Sequence, residues 1–384
     1  KFRVRKFMKL FKSLLVAPAT LGLLAPVAAT ANEVTINDFN PAEELAITNS
    51  RVDGLEARLN NFEAGSFSET TTASFSVDFA IGAVDGKDVT STITDGDEDL
   101  QAAYGFQIDL NTSFTGEDSL DISIDAGNSG STSPLAEFDL NDTTGGSDVL
   151  NVDGISYTFP VGKATVFVGD NTDGSMLFTT ACAYGGPSDT LDDCANVTAG
   201  ITGGGLSVGA AYDLGNGFTT AVGVQFVESG IATKESDDSY AANLAYTADN
   251  YGVSVTYANI EDVTDNDTFT AFNGYYSFDN GVSISAGYEI GDRDKAGADA
   301  DETEAYFVGI NGEVGPGELG AAIGTYGKMQ EALGVMPERL MYEVYYSYAL
   351  NDGMTIMPLI YSVEADGATD KDETGFMVKT SFSF

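Results

Sequence analysis

The chain has 384 residues, of which 17 are basic and 59 acidic, giving a formal net charge of −42. Such an imbalance excludes a nucleic-acid backbone as partner and argues against docking on anionic membrane surfaces, since both would repel it. Histidine is absent, which removes Ser-His and Cys-His nucleophilic catalysis and the usual zinc sites.

Residues 1–31 read as an export signal. Lys1, Arg3, Arg5, Lys6, Lys9 and Lys12 form a basic stretch, Leu14–Leu24 is apolar, and Ala29-Thr30-Ala31 offers a cleavage site before Asn32. The apolar run is too short to span a bilayer as a helix, which takes about 20 residues. Export would remove six basic residues and no acidic one, leaving a more acidic chain. Residues 32–65 read as a periplasmic linker. Within it Leu45, Thr48, Val52, Leu55, Leu59 and Phe62 recur alternately three and four residues apart, the spacing of a short amphipathic helix. Such a helix either plugs or caps the domain C-terminal to it, or joins protomers as a short coiled-coil stalk.

From residue 66 to 384 the pattern changes to period-two alternation, the mark of strands with one apolar face. Sixteen strands are predicted. The first eight lie near 67–83, 99–112, 118–127, 153–160, 163–169, 205–213, 218–229 and 239–248. The rest lie near 251–260, 267–278, 282–290, 303–314, 318–326, 339–350, 353–364 and 373–384. Many have about the 9–11 residues that a tilted strand needs to cross a bilayer. Tight turns such as Gly215–Gly217, Ala248–Asn250, Gly315–Gly317 and Asn351–Gly353 alternate with longer acidic connections, the longest being Asp170–Gly204. A transmembrane barrel with short periplasmic turns and long outer loops produces this order, whereas a soluble sandwich gives no reason for it. The fold expectation is therefore all-β: an antiparallel transmembrane β-barrel of about 16 strands with a short N-terminal helix.

With the apolar set facing lipid, strand parity turns Asp78, Asp109, Asp121, Asp125, Glu289 and Glu343 toward the lumen. Lys379 is the one basic residue on that face within a strand interior, and Arg339 lies at a strand edge. Each carboxylate acting on an ion ~8 Å away in water contributes only ~0.5 kcal/mol. Several together give a weak cation preference, not a selectivity filter. Cys182 and Cys194 suit one local disulfide in an oxidising compartment, which would fix Asp189, Asp192 and Asp193 as a cluster. That cluster either decorates the surface or, if its loop folds inward, lines the narrowest point of the pore together with Asp170 or Asp173. Asp95, Asp97 and Asp99 begin like a calcium loop without completing it. No cofactor or resident metal is expected, and weak Ca²⁺ or Mg²⁺ binding at acidic loops is the alternative to plain solvation. With 59 acids, paired carboxylates arise by chance and give no specific support to glycosidase chemistry. The chain reads as non-enzymatic.

The strand Thr374–Phe384, ending on an aromatic, resembles the closing strand of bacterial outer-membrane β-barrels. More specifically, MKLFKSLLVAPATLGLLAP, TSFTGEDSLD, ISYTFPVGK, FTTACAYGGPSDTLDDC, GVSISAGYEIGD, EVGPGELG and GFMVKTSFSF resemble the cyanobacterial outer-membrane porins, including those called iron-uptake and carbohydrate-selective porins. The resemblance runs from the leader to Phe384, and the cysteine-bearing segment is its most specific part. It implies a passive channel for ions and small hydrophilic solutes, carbohydrates or inorganic nutrients among them. It also implies a homotrimer in the outer membrane, in contact with lipopolysaccharide. General porins fold one loop inward to narrow the pore, and the cysteine loop occupies the matching place. Larger relatives carry an S-layer-homology domain before the helix, and the stretch from Asn32 to Leu45 is too short to hold one. A structural or adhesive envelope protein with a loop-closed pore is the other function expected of such a chain.

Overall fold

In the computed structural model the described residues are 70–85, 100–129, 135–138, 140, 148–231, 233, 237–261, 266–293, 302–329, 338–365 and 372–384. The leader, the linker with its helix and Asp95, Asp97 and Asp99 lie outside them. Sixteen strands follow one another in chain order: β1 (Thr71–Asp85), β2 (Gln101–Thr112), β3 (Ser119–Gly127), β4 (Asn151–Val161), β5 (Ala164–Asp170), β6 (Leu206–Gly215), β7 (Phe218–Phe226) and β8 (Ser239–Thr247). The circuit continues with β9 (Tyr251–Glu261), β10 (Asn266–Ser277), β11 (Val282–Arg293), β12 (Glu302–Val314), β13 (Gly317–Thr325), β14 (Leu340–Asn351), β15 (Met354–Val363) and β16 (Glu373–Ser383). Each strand pairs with its sequence neighbours, and β1 pairs antiparallel with β16, so the sheet closes on itself. At the seam, Phe75 and Phe384 exchange backbone hydrogen bonds of 3.0 Å and their rings stack. Closure leaves no strand edge, and a barrel of sixteen strands has room inside for more than its own side chains.

The alternation seen in the sequence becomes two faces. Phe79, Ile81, Val222, Leu244, Val253, Phe272, Val308, Val344 and Ile360 are exposed on the outer face, while Ala80, Ala221, Ala245, Ala271 and Ala305 are buried on the inner one. The tight turns obey hairpin chemistry: Gly215, Asn216 and Gly217 all adopt positive φ (83°, 55° and 83°), where a β-branched residue would be strained. Aromatic rings gather beside these turns, as in Phe218 with Tyr246, Tyr246 with Tyr251, and Tyr276 with Phe278. At the opposite end tyrosines donate to acidic groups: Tyr104 to Asp148, Tyr288 to Glu304, Tyr306 to Glu338 and Tyr342 to Glu364. Two aromatic belts, one at each end of an apolar wall, are what a bilayer-spanning barrel presents to its two interfaces. Tryptophan is not needed for them.

Candidate functional site: the barrel lumen

The connection between β5 and β6 does not project outward. Residues 171–205 leave the wall and lie along its inner face, held by inward side chains of several strands. Asn243 of β8 both accepts from Thr179 N–H (3.1 Å) and donates to Thr179 C=O (3.2 Å). Ser254 Oγ of β9 accepts from Ala181 N–H (2.9 Å). Ser285 Oγ of β11 accepts from Ala183 and Tyr184 N–H (2.9 and 3.1 Å). Glu343 of β14 accepts from the Tyr184 hydroxyl (2.5 Å). The returning limb is held by Asn273 Nδ2, which donates to Cys194 C=O (2.8 Å), and by Glu289 Oε2, which accepts from Thr198 and Ala199 N–H (2.8 Å each). A buried backbone must find partners for its N–H and C=O groups, and here the wall supplies them. Close approach also requires glycine. At Gly287 a Cβ would collide with the Cys194 carbonyl, and at Gly223 with the Gly174 carbonyl.

Cys182 and Cys194 form a disulfide with a Cα–Cα separation of 6.5 Å. Inside the bridged turn, Asp189 and Asp192 are exposed and Asp193 is half-buried, accepting from Ala195 N–H at 2.8 Å. Burial, with the charges of Glu289 and Asp189 adding to it against that hydrogen bond, raises the Asp193 carboxyl to about 7. Asp173, in the outgoing limb, is raised by burial and by the neighbouring Asp153 charge, while Gly203 N–H acts the other way. Asp170 does not join this cluster. It ends β5 on the outward parity it shares with exposed Val168, whereas Phe167 and Gly169 face in.

The inward carboxylates fall into two groups. Asp78 is half-buried on the face of Ala80 and Gly82. Asp109 accepts from Gln107 Nε2 and Ser123 Oγ (2.8 Å each), and Asp121 from Asn111 Nδ2 and Ser119 Oγ (2.5 and 2.7 Å). Asp125 is on the same face at 3% exposure. Glu289 and Glu343 face inward too, but at 1% and 2% exposure they are covered by the loop they hold. They are anchors rather than free lumen charges. Arg339 is neutralised at its strand end by Glu373 (3.2 Å) and stacks on Tyr326.

A second insertion is not legible in the loop's own sequence. Residues 135–138 and 140, between β3 and β4, bring Leu135, Phe138 and Leu140 inside, fully buried. They pack with Tyr184, Leu191, Phe307, Met341, Tyr345, Leu359, Tyr361 and Met377 in one apolar cluster. Lys379 Nζ lies 5.4 Å from the Phe138 ring centroid, a cation–π contact. The two insertions touch where Asp189 N–H donates to Glu137 C=O (3.1 Å). A signal for this did exist in the wall: Met341, Tyr345, Leu359, Tyr361 and Met377 occupy inward parity in β14–β16. Apolar side chains there need something other than water to face. The lumen is thus narrowed on one side by an apolar plug and bordered elsewhere by carboxylates.

The family model described as Gram-negative porin matches residues 55–368. No curated protein sequence matches the chain. Among solved structures, a mutant of Rh. blastica porin aligns with a TM-score of 0.56 at 12% identity, covering 82% of this chain and 100% of that one. OmpT of Vibrio cholerae with loop L8 deleted, described as an outer membrane protein, aligns with a TM-score of 0.56 at 11% identity, covering 82% and 99%. At such identities the structural likeness speaks for the fold alone.

Proposed function

The chain belongs to the Gram-negative porin family and forms an outer-membrane channel; on that premise we propose that it is a passive, weakly cation-preferring pore for ions and small hydrophilic solutes. The observation that carries the preference is the charge balance of the inner face. Asp78, Asp109 and Asp121 line it, Asp125 faces the same way but is buried at 3% exposure, and Asp173, Asp189, Asp192 and Asp193 occupy the inward segment. The basic side chains nearby are engaged: Lys379 on Phe138, Lys328 on Phe269 and Arg339 with Glu373. We assign the constriction to Asp189, Asp192 and Asp193 with Asp173, and leave Asp170 out because it faces outward. Diffusion through such a pore needs no catalysis and no energy coupling. The solutes are small and hydrophilic, carbohydrates or iron and other inorganic nutrients, in keeping with the resemblance of the cysteine segment to cyanobacterial porins.

The leader 1–31 and linker 32–65 precede the barrel domain 66–384 in this reading. Three copies assemble side by side, and Ca²⁺ or Mg²⁺ at the acidic outer loops bridges to lipopolysaccharide phosphates. Planar-bilayer recording in a KCl gradient tests the core of the proposal. Discrete conductance steps with a reversal potential shifted toward cations are expected. Replacing Asp189, Asp192 and Asp193 by Asn should move that potential toward zero. Silence from correctly folded protein would sink the channel reading and favour a structural envelope role.

A further inference from the structure

The barrel sorts its charge by face at the end that carries the long loops. Across β11–β15, Tyr288, Glu304, Tyr306, Glu338, Tyr342 and Glu364 stand on outward parity, within the strands or just beyond their ends. Tyr288 donates to Glu304 (2.7 Å), Tyr306 to Glu338, and Tyr342 to Glu364 (3.1 Å). The three pairs make one patch. Tyr288 is the register partner of Tyr306, and the charges of Glu338 and Glu364 both act on the Tyr306 phenol. Next below lie the exposed Val308, Val344 and Ile360 of the apolar wall, so the patch stands at the depth of the lipid headgroups. The basic residues described in this half of the barrel take the other face. Arg293 pairs with Asp267, Lys328 lies over Phe269, Arg339 pairs with Glu373 and Lys379 lies over Phe138, all on the inner side.

This sorting sets what the outer patch can take. A phosphate-bearing headgroup arriving there meets carboxylates with no lysine or arginine among them, and like charges repel. An uncharged headgroup rich in hydroxyls meets acceptors instead. An ionised carboxylate offers about four acceptor sites, of which one phenol occupies one. Each pair therefore keeps capacity for the hydroxyls of a sugar ring. Tyr288 and Ile290, 38% and 39% exposed and adjacent on the outer face of β11, supply apolar surface for the C–H face of that ring.

We propose that the outer rim of β11–β15 is a docking surface for the uncharged sugar headgroups of glycolipids in the surrounding leaflet. The proposal goes beyond the channel reading and does not depend on conduction. The test reconstitutes the full protein in phosphatidylcholine vesicles that hold equal small fractions of digalactosyl diacylglycerol and phosphatidylglycerol, with EDTA present. Lipids retained on transfer to detergent are then counted by native mass spectrometry. The galactolipid should be retained several-fold over phosphatidylglycerol. Glu304→Ala with Glu338→Ala should lower galactolipid retention about tenfold, the order expected for losing charge-assisted hydrogen bonds. Both side chains point out of the sheet, so its backbone pairing stays. Glu304→Gln with Glu338→Gln keeps an oxygen acceptor and removes the charge, and should raise phosphatidylglycerol retention instead. Equal retention of the two lipids by the unaltered protein, or unchanged galactolipid retention in the alanine variant, would overturn the proposal. So would phosphatidylglycerol overtaking the galactolipid once Ca²⁺ replaces EDTA, which would give the patch to cation-bridged phosphates. A change of oligomeric mass in the alanine variant would give it to a second copy of the chain and overturn the proposal likewise.

Discussion

Glu289 offers the sharpest test of how the lumen is built, because strand parity alone makes it a free pore charge while the structure makes it an anchor. Glu289→Ala removes the acceptor of the Thr198 and Ala199 N–H groups, each at 2.8 Å. A hydrogen bond to a charged group contributes about 1.5–3 kcal/mol, so losing both, with two donors left inside, weakens docking of the returning limb by about 3–5 kcal/mol. At about 1.4 kcal/mol per tenfold, the limb would open about two to four orders of magnitude more often. The barrel itself should not unfold, since β11 keeps its backbone pairing with β10 and β12. Hydrogen exchange of a peptide covering residues 194–201 reads this directly, because its amides exchange through local opening. Glu289→Gln keeps an oxygen acceptor and loses the charge, so it should accelerate exchange far less than the alanine variant. Unchanged exchange in Glu289→Ala would refute the anchoring argument. Equal acceleration in both variants would place the effect in the charge rather than in the acceptor.

Three further outcomes are expected from the same geometry. The Asp193 carboxyl, raised to about 7, is neutral in the folded chain at pH values where an unfolded one is ionised; docking of its turn should therefore weaken as pH rises from about 4 to about 7. Over the upper part of that window ionisation adds one lumen charge, so the reversal potential should shift toward cations, and Asp193→Asn should erase the step. Removing the disulfide by Cys182→Ser with Cys194→Ser should cost the segment about 3 kcal/mol in the chain-entropy account, seen as faster proteolysis within 183–193 while the barrel's heat resistance on gels is kept. Phe138→Ala empties a fully buried site, a change that costs about 3–5 kcal/mol in well-packed cores. It should raise single-channel conductance as the 135–140 insertion loosens, and lower cation preference as Lys379 loses its ring. Unaltered conductance would mean that this insertion stands clear of the pore.

Much of the wall was legible in the chain because a strand's side chains alternate strictly. Phe79 and Ile81 against Ala80, or Ile284 and Tyr288 against Ser285 and Glu289, announce two faces without any tertiary information. Turn chemistry such as Gly215-Asn216-Gly217 punctuates them, and short and long connections then imply a barrel standing across a membrane. All sixteen predicted strands are present, displaced at their ends by a few residues where pairing with neighbours, rather than propensity, sets the limit.

What the sequence determined by itself was therefore the wall: its strands, its faces and the sign of its charge. What the tertiary structure alone decided was the contents. The 171–205 segment lies inward because Asn243, Ser254, Ser285, Asn273 and Glu289, scattered over four strands, converge on its backbone only after the barrel closes. The 135–140 insertion enters because Leu135 and Phe138 find Tyr345, Tyr361 and Met377, some two hundred residues later in the chain. Periodicity reports which way a side chain points. It cannot report what will be waiting there, since that depends on closure of the whole ring.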